Sequence, residues 1–230
     1  MCETFQEKFY ESFIQDNRWE YIVDGLRTTL IVTFFAAIMG ILLGFVVAMI
    51  RSTHDKTGKL KLLDLVAKLY LTVIRGTPVV VQLMIINFVI FASARINTIY
   101  VAILAFGINS GAYVAEIIRG GIMSIDQGQF EAGRSLGFNY IQTLGYIILP
   151  QAIKNVLPAL ANEFIVLLKE TSVAGYIALQ DLTKAGDIIR SRTFDAFFPL
   201  ISVALIYLVM VIGFSYLVKR LERRLMRSER

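Results

Sequence analysis

Residues 131–164 read EAGRSLGFNYIQTLGYIILPQAIKNVLPALANEF, and the rest of the chain is organised around this stretch. It holds few charges and is punctuated by Gly133, Gly137, Pro150 and Pro158. Glycine leaves backbone that another surface can approach closely, whereas proline lacks an amide donor and breaks or kinks a helix. We therefore predict a short helix, a bend at Pro150, and a new helix that enters a membrane.

The composition is typical of an integral membrane protein. The 230 residues are 56% hydrophobic, and several apolar runs approach the length of a bilayer crossing. The formal net charge is +5, but the basic residues gather between the apolar runs, which indicates membrane topology rather than nucleic-acid binding. The single cysteine, Cys2, excludes an internal disulfide framework and a cysteine-rich metal site. The N-terminus has no basic region, so we expect no cleaved signal peptide.

The hydropathy pattern predicts an all-α bundle of about five transmembrane helices. The first contains Gly40 and Gly44, a spacing that lets a second helix pack closely. The second is too long for one straight crossing, and we expect it to break near Pro78. The five predicted spans cover approximately residues 21–50, 62–94, 96–118, 157–176 and 196–218.

The distribution of basic residues predicts the orientation. Residues 51–61 and the tail at 219–230 are rich in lysine and arginine, and such segments stay in the cytoplasm. We expect the loop at about 123–156 to be cytoplasmic too. The transmembrane domain, residues 21–218, then has its N-terminus outside and its C-terminus inside, as an odd number of spans requires.

The N-terminal segment, residues 1–20, precedes the first span. Phe5, Phe9 and Phe13 recur every four residues, which predicts one face of an amphipathic helix. Because aromatic rings favour the membrane interface, we expect this helix to lie on the outer membrane surface. The alternative is a frayed tail.

The fourth span is unusually polar for a transmembrane helix. Asn155, Asn162 and Lys169 are seven residues apart and share one helical face, and Glu163 and Glu170 form an adjacent strip. A charge near the bilayer centre costs at least about 2.5–3.5 kcal/mol on insertion scales. We therefore expect this strip to face the protein interior or a water-filled path.

We interpret these residues as part of a translocation pore. Asn162 and Glu163 would line its middle, where Glu163 attracts an ammonium group of the substrate. Arg75, on the broken second span, would bind a carboxylate, which a guanidinium group fits well. The alternatives are that Glu163 and Arg75 form a structural pair or cap helices. Lys169 and Glu170 can instead form an interfacial pair that reaches water.

Other titratable groups carry weaker hypotheses. Glu116 and Arg119 are three residues apart and are expected to form a local helix pair, with gating as the alternative. His54 is expected to be solvated in an exposed loop, with a pH-sensing or metal role as the alternative. The sequence has no P-loop, GxSxG or HExxH motif, so we expect no ATP site, catalytic site, metal or cofactor in this chain.

A family resemblance follows from the spacing of small residues around Glu131. Glu131-Ala132-Gly133, then Gly137, and later Ile147 and Leu149-Pro150, resemble the EAA loop of ABC importer permeases. Further segments resemble the polar amino-acid branch, of histidine, glutamine, arginine or glutamate type. These are RGTP at 75–78, the AE..R pattern at 115–119, GQ at 128–129, LPQA at 149–152 and KETS at 169–172. The resemblance extends from about residue 25 to about residue 217.

The resemblance implies a type I importer permease in the cell membrane, without enzymatic activity of its own. Its EAA helix would dock into a separate ATPase subunit, which binds the ATP, with Glu131, Ala132, Gly133 and Gly137 as the coupling residues. We expect Glu131 to begin this helix, and small residues to give it a close-packing surface. Gly133 departs from the family pattern, which usually has alanine, and would loosen the helix by roughly 1 kcal/mol.

The resemblance also implies partners: a second permease subunit, identical or related, and an external substrate-binding protein. The cargo would be a polar amino acid, which the resemblance does not name. Two alternatives stay open at this point. The loop can be an ordinary amphipathic surface helix, and the chain can be an ion-coupled secondary transporter or channel, which needs no EAA spacing.

Overall fold

The computed structural model describes residues 5–227, with side chains described as far as residue 224. Every regular element in this part of the chain is helical. We number the α-helices in chain order; π-helical turns follow α1, α4 and α7, and a 3₁₀ segment follows α8. The helices are α1 Phe5–Phe9, α2 Trp19–Thr57, α3 Lys61–Gly76, α4 Val79–Ile85, α5 Thr98–Met123, α6 Gln127–Ser135, α7 Tyr140–Thr143, α8 Leu149–Glu170, α9 Leu182–Thr193 and α10 Phe197–Arg227.

The centre of the bundle is the contact between α2 and α5, where both helices carry a glycine pair. Gly40 and Gly44 of α2 face Ser110 and Val114 of α5, and a Cβ added at Gly44 would lie 2.6 Å from the Val114 Cγ1 atom. On α5, a Cβ added at Gly111 would lie 3.0 Å from a methyl carbon of Leu43. The backbones therefore approach too closely for larger residues, as the spacing of Gly40 and Gly44 predicts.

The core contacts show that α2 and α5 run parallel. Ala36, in the first half of α2, packs with Ala102 near the start of α5. Ala48, further along α2, packs with Ile118 and Ile122 near the end of α5. The chain must therefore cross back between these two helices, and α3 and α4 make this return.

The return crossing is sharply bent. The helical segments Lys61–Gly76 and Val79–Ile90 meet at an angle of 110°, which confirms the predicted break near Pro78. The Gln82 side-chain amide donates to the backbone carbonyls of Ile74 at 2.7 Å and Thr77 at 3.0 Å. These bonds satisfy carbonyls that the helix break leaves without partners, which is necessary in an apolar environment.

Two further crossings complete the bundle. Ile148 and Ala152, at the start of α8, pack near the end of α5, and Leu167 packs near its start, so α8 is antiparallel to α5. The turn to α10 is made by the short helix α9. Four helices of the described chain are long and apolar enough to cross a membrane, and the bent pair counts as a fifth crossing if it forms one span. The N-terminal segment and α9 therefore lie at one end of the bundle, and α6, α7 and the end of α10 lie at the other.

The helices extend further than hydropathy predicts. We expected the first span to end near residue 50 and the fifth near 218, but α2 continues to Thr57 and α10 to Arg227. Charged side chains on the extension of α2 form ion pairs with α3, among them Arg51 with Asp64 at 3.1 Å, which supports helical structure outside the apolar region. Residues 228–230 of the predicted tail lie outside the described residues.

The bend predicted at Pro150 is wrong. A π-helical turn, Leu144–Ile148, leads directly into α8, and the helical backbone continues from Tyr140 to Ile177. Pro150 is the second residue of α8 and directly follows the π-helical turn, where the ladder of backbone hydrogen bonds is already altered and the amide that proline lacks is tolerated. The connector lies earlier instead, between α6 and α7.

The N-terminal segment is helical and packed rather than frayed. The Phe5 ring contacts the Phe198 ring at the start of α10, with centroids 4.8 Å apart, and the Phe9 ring lies 6.1 Å from the same ring. Phe5 and Phe9 remain 70% and 47% exposed. The position of this helix at a membrane surface stays a prediction, and residues 1–4 lie outside the described residues.

Candidate functional site

The polar strip of α8 lies on the surface of the chain. Asn162 and Lys169 are exposed, whereas Glu163 and Glu170 are half-buried. The Glu163 Oε1 atom accepts a hydrogen bond from the hydroxyl of Ser110 at 3.0 Å. Because Ser110 belongs to the tight α2–α5 contact, this bond holds the Glu163 carboxylate at a fixed place beside the bundle core.

Arg75 does not reach Glu163. Its guanidinium lies 3.7 Å from the carboxylate of Glu116 and 5.8 Å from the ring centroid of Tyr113, both on α5. The alternative that Glu163 and Arg75 form a structural pair is therefore wrong, since each has a different partner. The side chain of Arg75 remains 44% exposed, so a ligand can still approach its guanidinium.

The predicted pair of Glu116 and Arg119 is present at 3.8 Å and belongs to a larger network. Arg119 also lies 3.5 Å from Asp55 on the extension of α2. The network therefore joins α2 to α5 and continues through Glu116 to the end of α3, where Arg75 lies.

A second cluster surrounds Asp64 of α3, whose side chain is only 3% exposed. Its carboxylate lies 2.7 Å from Lys68, one turn further along α3, and 3.1 Å from Arg51. His54 lies 3.3 Å from it and 3.8 Å from Asp55, so the prediction of a solvated His54 is wrong. Arg51 and Lys68 compensate the charge of the buried Asp64 carboxylate within the chain.

Helix α6, the predicted coupling helix, begins earlier than expected. The Asp126 side chain caps it by accepting the N–H of Gly128 at 2.6 Å, so Glu131 lies in mid-helix. Gly137 ends it with φ +83°, a left-handed conformation that favours glycine. The N–H of Phe138 donates to the Gly133 carbonyl at 3.0 Å and that of Gly137 to the Arg134 carbonyl at 2.9 Å, which together form a Schellman motif.

The two small residues of α6 have different surroundings. Gly133 is buried, and a Cβ added there would lie 2.6 Å from the Thr143 Cγ2 atom. The close approach that this glycine permits is therefore made by α7 of the same chain, and not by a partner subunit. Ala132 and Glu131 are exposed and can contact a partner.

Sequence analysis missed three exposed apolar side chains on the coupling segment. Leu136, Ile141 and Tyr146 are 71%, 76% and 75% exposed. These three side chains are therefore available for contact with lipid or with another subunit. The sequence feature that could have indicated these residues is the absence of charge over residues 135–149, in a segment predicted to lie outside the membrane.

The opposite end of the bundle carries charged residues on α9. The Asp187 carboxylate accepts hydrogen bonds from Lys184 at 3.0 Å and from Arg190. The Arg190 and Lys184 bonds lower the pKa of Asp187 below its usual value, so it stays ionised at neutral pH. Burial raises the pKa of Asp181, which caps α9 by accepting the N–H groups of Thr183 and Lys184.

Over residues 40–227 the chain matches the family described as the binding-protein-dependent transport system inner membrane component. The chain belongs to this family. It is therefore a multi-pass membrane permease, the transport component of a binding-protein-dependent system, as the EAA spacing indicates. This family membership favours ATP-driven import over the alternative of an ion-coupled transporter or channel.

Three similar permeases align with this chain over nearly its whole length. The putative glutamine transport system permease protein GlnP of Rickettsia typhi is 36% identical over 220 residues, 95% of this chain and 96% of that protein. The arginine transport system permease protein ArtQ of Bacillus subtilis is 37% identical over 207 residues, 89% of this chain and 92% of that protein. The glutamine permease GlnP of Escherichia coli is 36% identical over 89% of this chain and 92% of its own length.

Solved structures share the fold. The crystal structure of an amino acid ABC transporter with histidines includes a chain that is 43% identical, with a TM-score of 0.85, over 97% of this permease and 100% of that chain. An inward-facing MetNI methionine ABC transporter gives a TM-score of 0.79 at 19% identity, over 92% of this permease and 99% of that chain. The second likeness shows the fold alone, and both confirm the type I importer architecture.

Proposed function

We propose that this permease carries a polar amino acid across the cell membrane into the cytoplasm, driven by ATP that separate subunits bind and hydrolyse. The similar permeases are named for glutamine and arginine, and the similar structure is that of an amino acid ABC transporter with histidines. These names support an amino acid as the cargo.

The polar strip on α8 is the observation that carries this proposal. Asn162 and Lys169 are exposed on a helix of membrane-spanning length, and Glu163 lies half-buried beside them. Hydrocarbon cannot solvate such groups, so this face requires water or another polar surface. A second permease subunit, identical or related, supplies that surface and encloses a polar path between the two copies.

The path binds the substrate through opposite charges. Glu163, fixed by Ser110, attracts the α-ammonium group that every amino acid carries, and Asn162 adds donors and an acceptor. Arg75 binds the substrate carboxylate with its exposed guanidinium, which its long 3.7 Å contact with Glu116 leaves available. ATP hydrolysis then changes the access of this path from one side of the membrane to the other.

The partners occupy opposite ends of the bundle. The exposed face of α6, with Glu131 and Ala132, docks on the ATPase subunit, while Gly133 and Gly137 set the shape of that segment. The basic extensions of α2 and α10 support a cytoplasmic position for this end. The external binding protein docks at the opposite end, where α9 presents its charged residues.

Replacement of Glu163 with Gln tests the substrate path. The change removes the negative charge but keeps an acceptor oxygen for Ser110. We expect substrate uptake into vesicles that hold the reconstituted complex to fall about tenfold or more, since a hydrogen bond to a charged group contributes about 1.5–3 kcal/mol. ATP hydrolysis without substrate should not change.

Glu20, exposed at the start of α2, provides the matched control. Glu20→Gln should leave uptake at the wild-type rate. Uptake kinetics of Glu163→Gln equal to those of the wild type would remove Glu163 from the path.

A further inference from the structure

The extension of α2, residues 51–57, touches the coupling helix directly. The Nζ atom of Lys56 donates to the Oε1 atom of Gln127 at 3.2 Å, and it lies 5.0 Å from the ring centroid of Phe130. One lysine on α2 therefore contacts the first residue of α6 and an aromatic ring one turn further along. A cation over an aromatic face is attracted by the ring quadrupole.

The contact continues through α7 and returns to α2. The rings of Phe130 and Tyr140 are stacked, with centroids 6.4 Å apart and planes at 8°. The Tyr140 hydroxyl donates to the backbone carbonyl of Ser52 at 3.2 Å. Side chains of α2, α6 and α7, together with the backbone carbonyl of Ser52, thus form a closed ring of contacts. We call it the clamp, and its members are Ser52, Lys56, Gln127, Phe130 and Tyr140.

The clamp lies beside a small cavity at this end of the bundle. A cavity of about 180 Å³ lies between α6 and the ends of α2 and α5. The covalent link from α5 to α6 is only the short segment at residues 124–126. Phe130 and Tyr140 also pack against the core cluster that contains Ala48 and Ile122. The clamp therefore adds specific side-chain contacts to an apolar connection between α6, α7 and the end of α2.

The same extension is tied to the rest of the bundle by charge. Asp55 contacts Arg119 of α5 at 3.5 Å, and Arg51 contacts the buried Asp64 of α3 at 3.1 Å. From α5 the network continues through Glu116 to Arg75. A displacement of residues 51–57 therefore reaches α3, which carries Arg75, and α5, whose Ser110 holds Glu163 of the proposed substrate path.

We propose that the clamp locks residues 51–57 to the coupling helix, so that ATP-driven movement of α6 displaces α2 as well as the helices next to it in sequence. Lys56 and Tyr140 are then positioning residues for transport, which act on the path through α2. The proposal rests on the function proposed above, because it requires an ATPase that moves α6.

The double variant Lys56→Met/Tyr140→Phe tests the clamp. Methionine keeps an apolar stem but removes the charge and the donor, and phenylalanine removes only the hydroxyl. In the reconstituted complex, we expect the number of substrate molecules transported per ATP hydrolysed to fall about 2- to 30-fold, the range typical of coupling mutations. Copurification of the ATPase subunit should persist. Lys59→Met, an exposed lysine just beyond the clamp, is the matched control.

The outcomes separate the two proposals. If the wild-type complex shows no ATP-dependent uptake, the proposed function fails. If the wild-type complex transports and the double variant transports as many molecules per ATP, the clamp proposal alone is overturned.

A cross-link gives an independent test that does not depend on loss of activity. In a Cys2→Ser background, cysteines replace Lys56 and Gln127, which breaks the clamp and should lower transport per ATP. A short flexible bis-maleimide then joins the two positions. If α2 and α6 move together, the cross-link restores transport per ATP towards the wild-type value. Arrested or unrestored transport would overturn the proposal.

Discussion

Gly133 and Gly137 lie four residues apart in the coupling segment and serve different physical purposes. Gly137 is required by its backbone, because φ +83° strains any residue with a Cβ. Gly133 is required by its neighbour, because Thr143 occupies the space that a Cβ would take. The family pattern usually has alanine at this position. In this chain, Gly133 leaves the space that the Thr143 side chain occupies. Its role is this contact, and not a more flexible helix.

Gly133→Ala should therefore impair this permease, although alanine is the better helix former. The Cβ would lie 2.6 Å from Thr143 Cγ2 and 2.7 Å from its Oγ1, and such overpacking costs about 1–3 kcal/mol. We expect lower transport and weaker retention of the ATPase during purification. Thr143→Ala removes both contacting atoms, so the double variant Gly133→Ala/Thr143→Ala should recover most of the loss.

The control for this pair is Gly145→Ala. No atom of the described chain lies within 4 Å of its added Cβ, so transport should be unaffected. Wild-type behaviour of the single variant Gly133→Ala, without any effect on ATPase retention, would contradict the fit to Thr143.

At the scale of elements, hydropathy and small-residue spacing predicted the membrane spans and the packing site at Gly40 and Gly44. The break near Pro78 was also predictable, because proline removes a donor at a fixed place in the sequence. The extension of α2 was not predictable from polarity alone. It depends on ion pairs such as Arg51 with Asp64, between helices whose relative placement the sequence does not state.

Gly44→Ala tests the close contact between α2 and α5. The added Cβ would lie 2.6 Å from the Val114 Cγ1 atom and 2.8 Å from the carbonyl oxygen of Gly111, and the backbone oxygen cannot easily move. We expect the midpoint of thermal unfolding in detergent to fall by several degrees, because overpacking costs about 1–3 kcal/mol.

Gly213 of α10 is the matched control, since no atom of the described chain lies within 4 Å of its added Cβ. Gly213→Ala should hold or raise the midpoint, as alanine favours the helix by about 1 kcal/mol. Equal midpoints for the two variants would show that the glycines of α2 are not required for packing.

At the scale of the whole molecule, five crossings place the N-terminal segment and α9 opposite the coupling segment. The sequence predicted this arrangement because long apolar runs and clustered basic residues are properties of single segments. It predicted neither the clamp nor the network from Asp55 to Arg75, because these join residues far apart in the chain. The polar strip of α8 was predicted from the sequence, but the exposure of Asn162 and Lys169 is known only from the structure, and it leads to the proposal of a path between two copies.

The most direct test of this account is the accessibility of α6. In a Cys2→Ser background, Ala132→Cys places a single thiol on the exposed face of α6. A membrane-impermeant maleimide should label it in inverted vesicles and not in right-side-out vesicles, and added ATPase subunit should protect it. Labelling from the outer side, or unchanged labelling when the ATPase is bound, would contradict a cytoplasmic coupling helix.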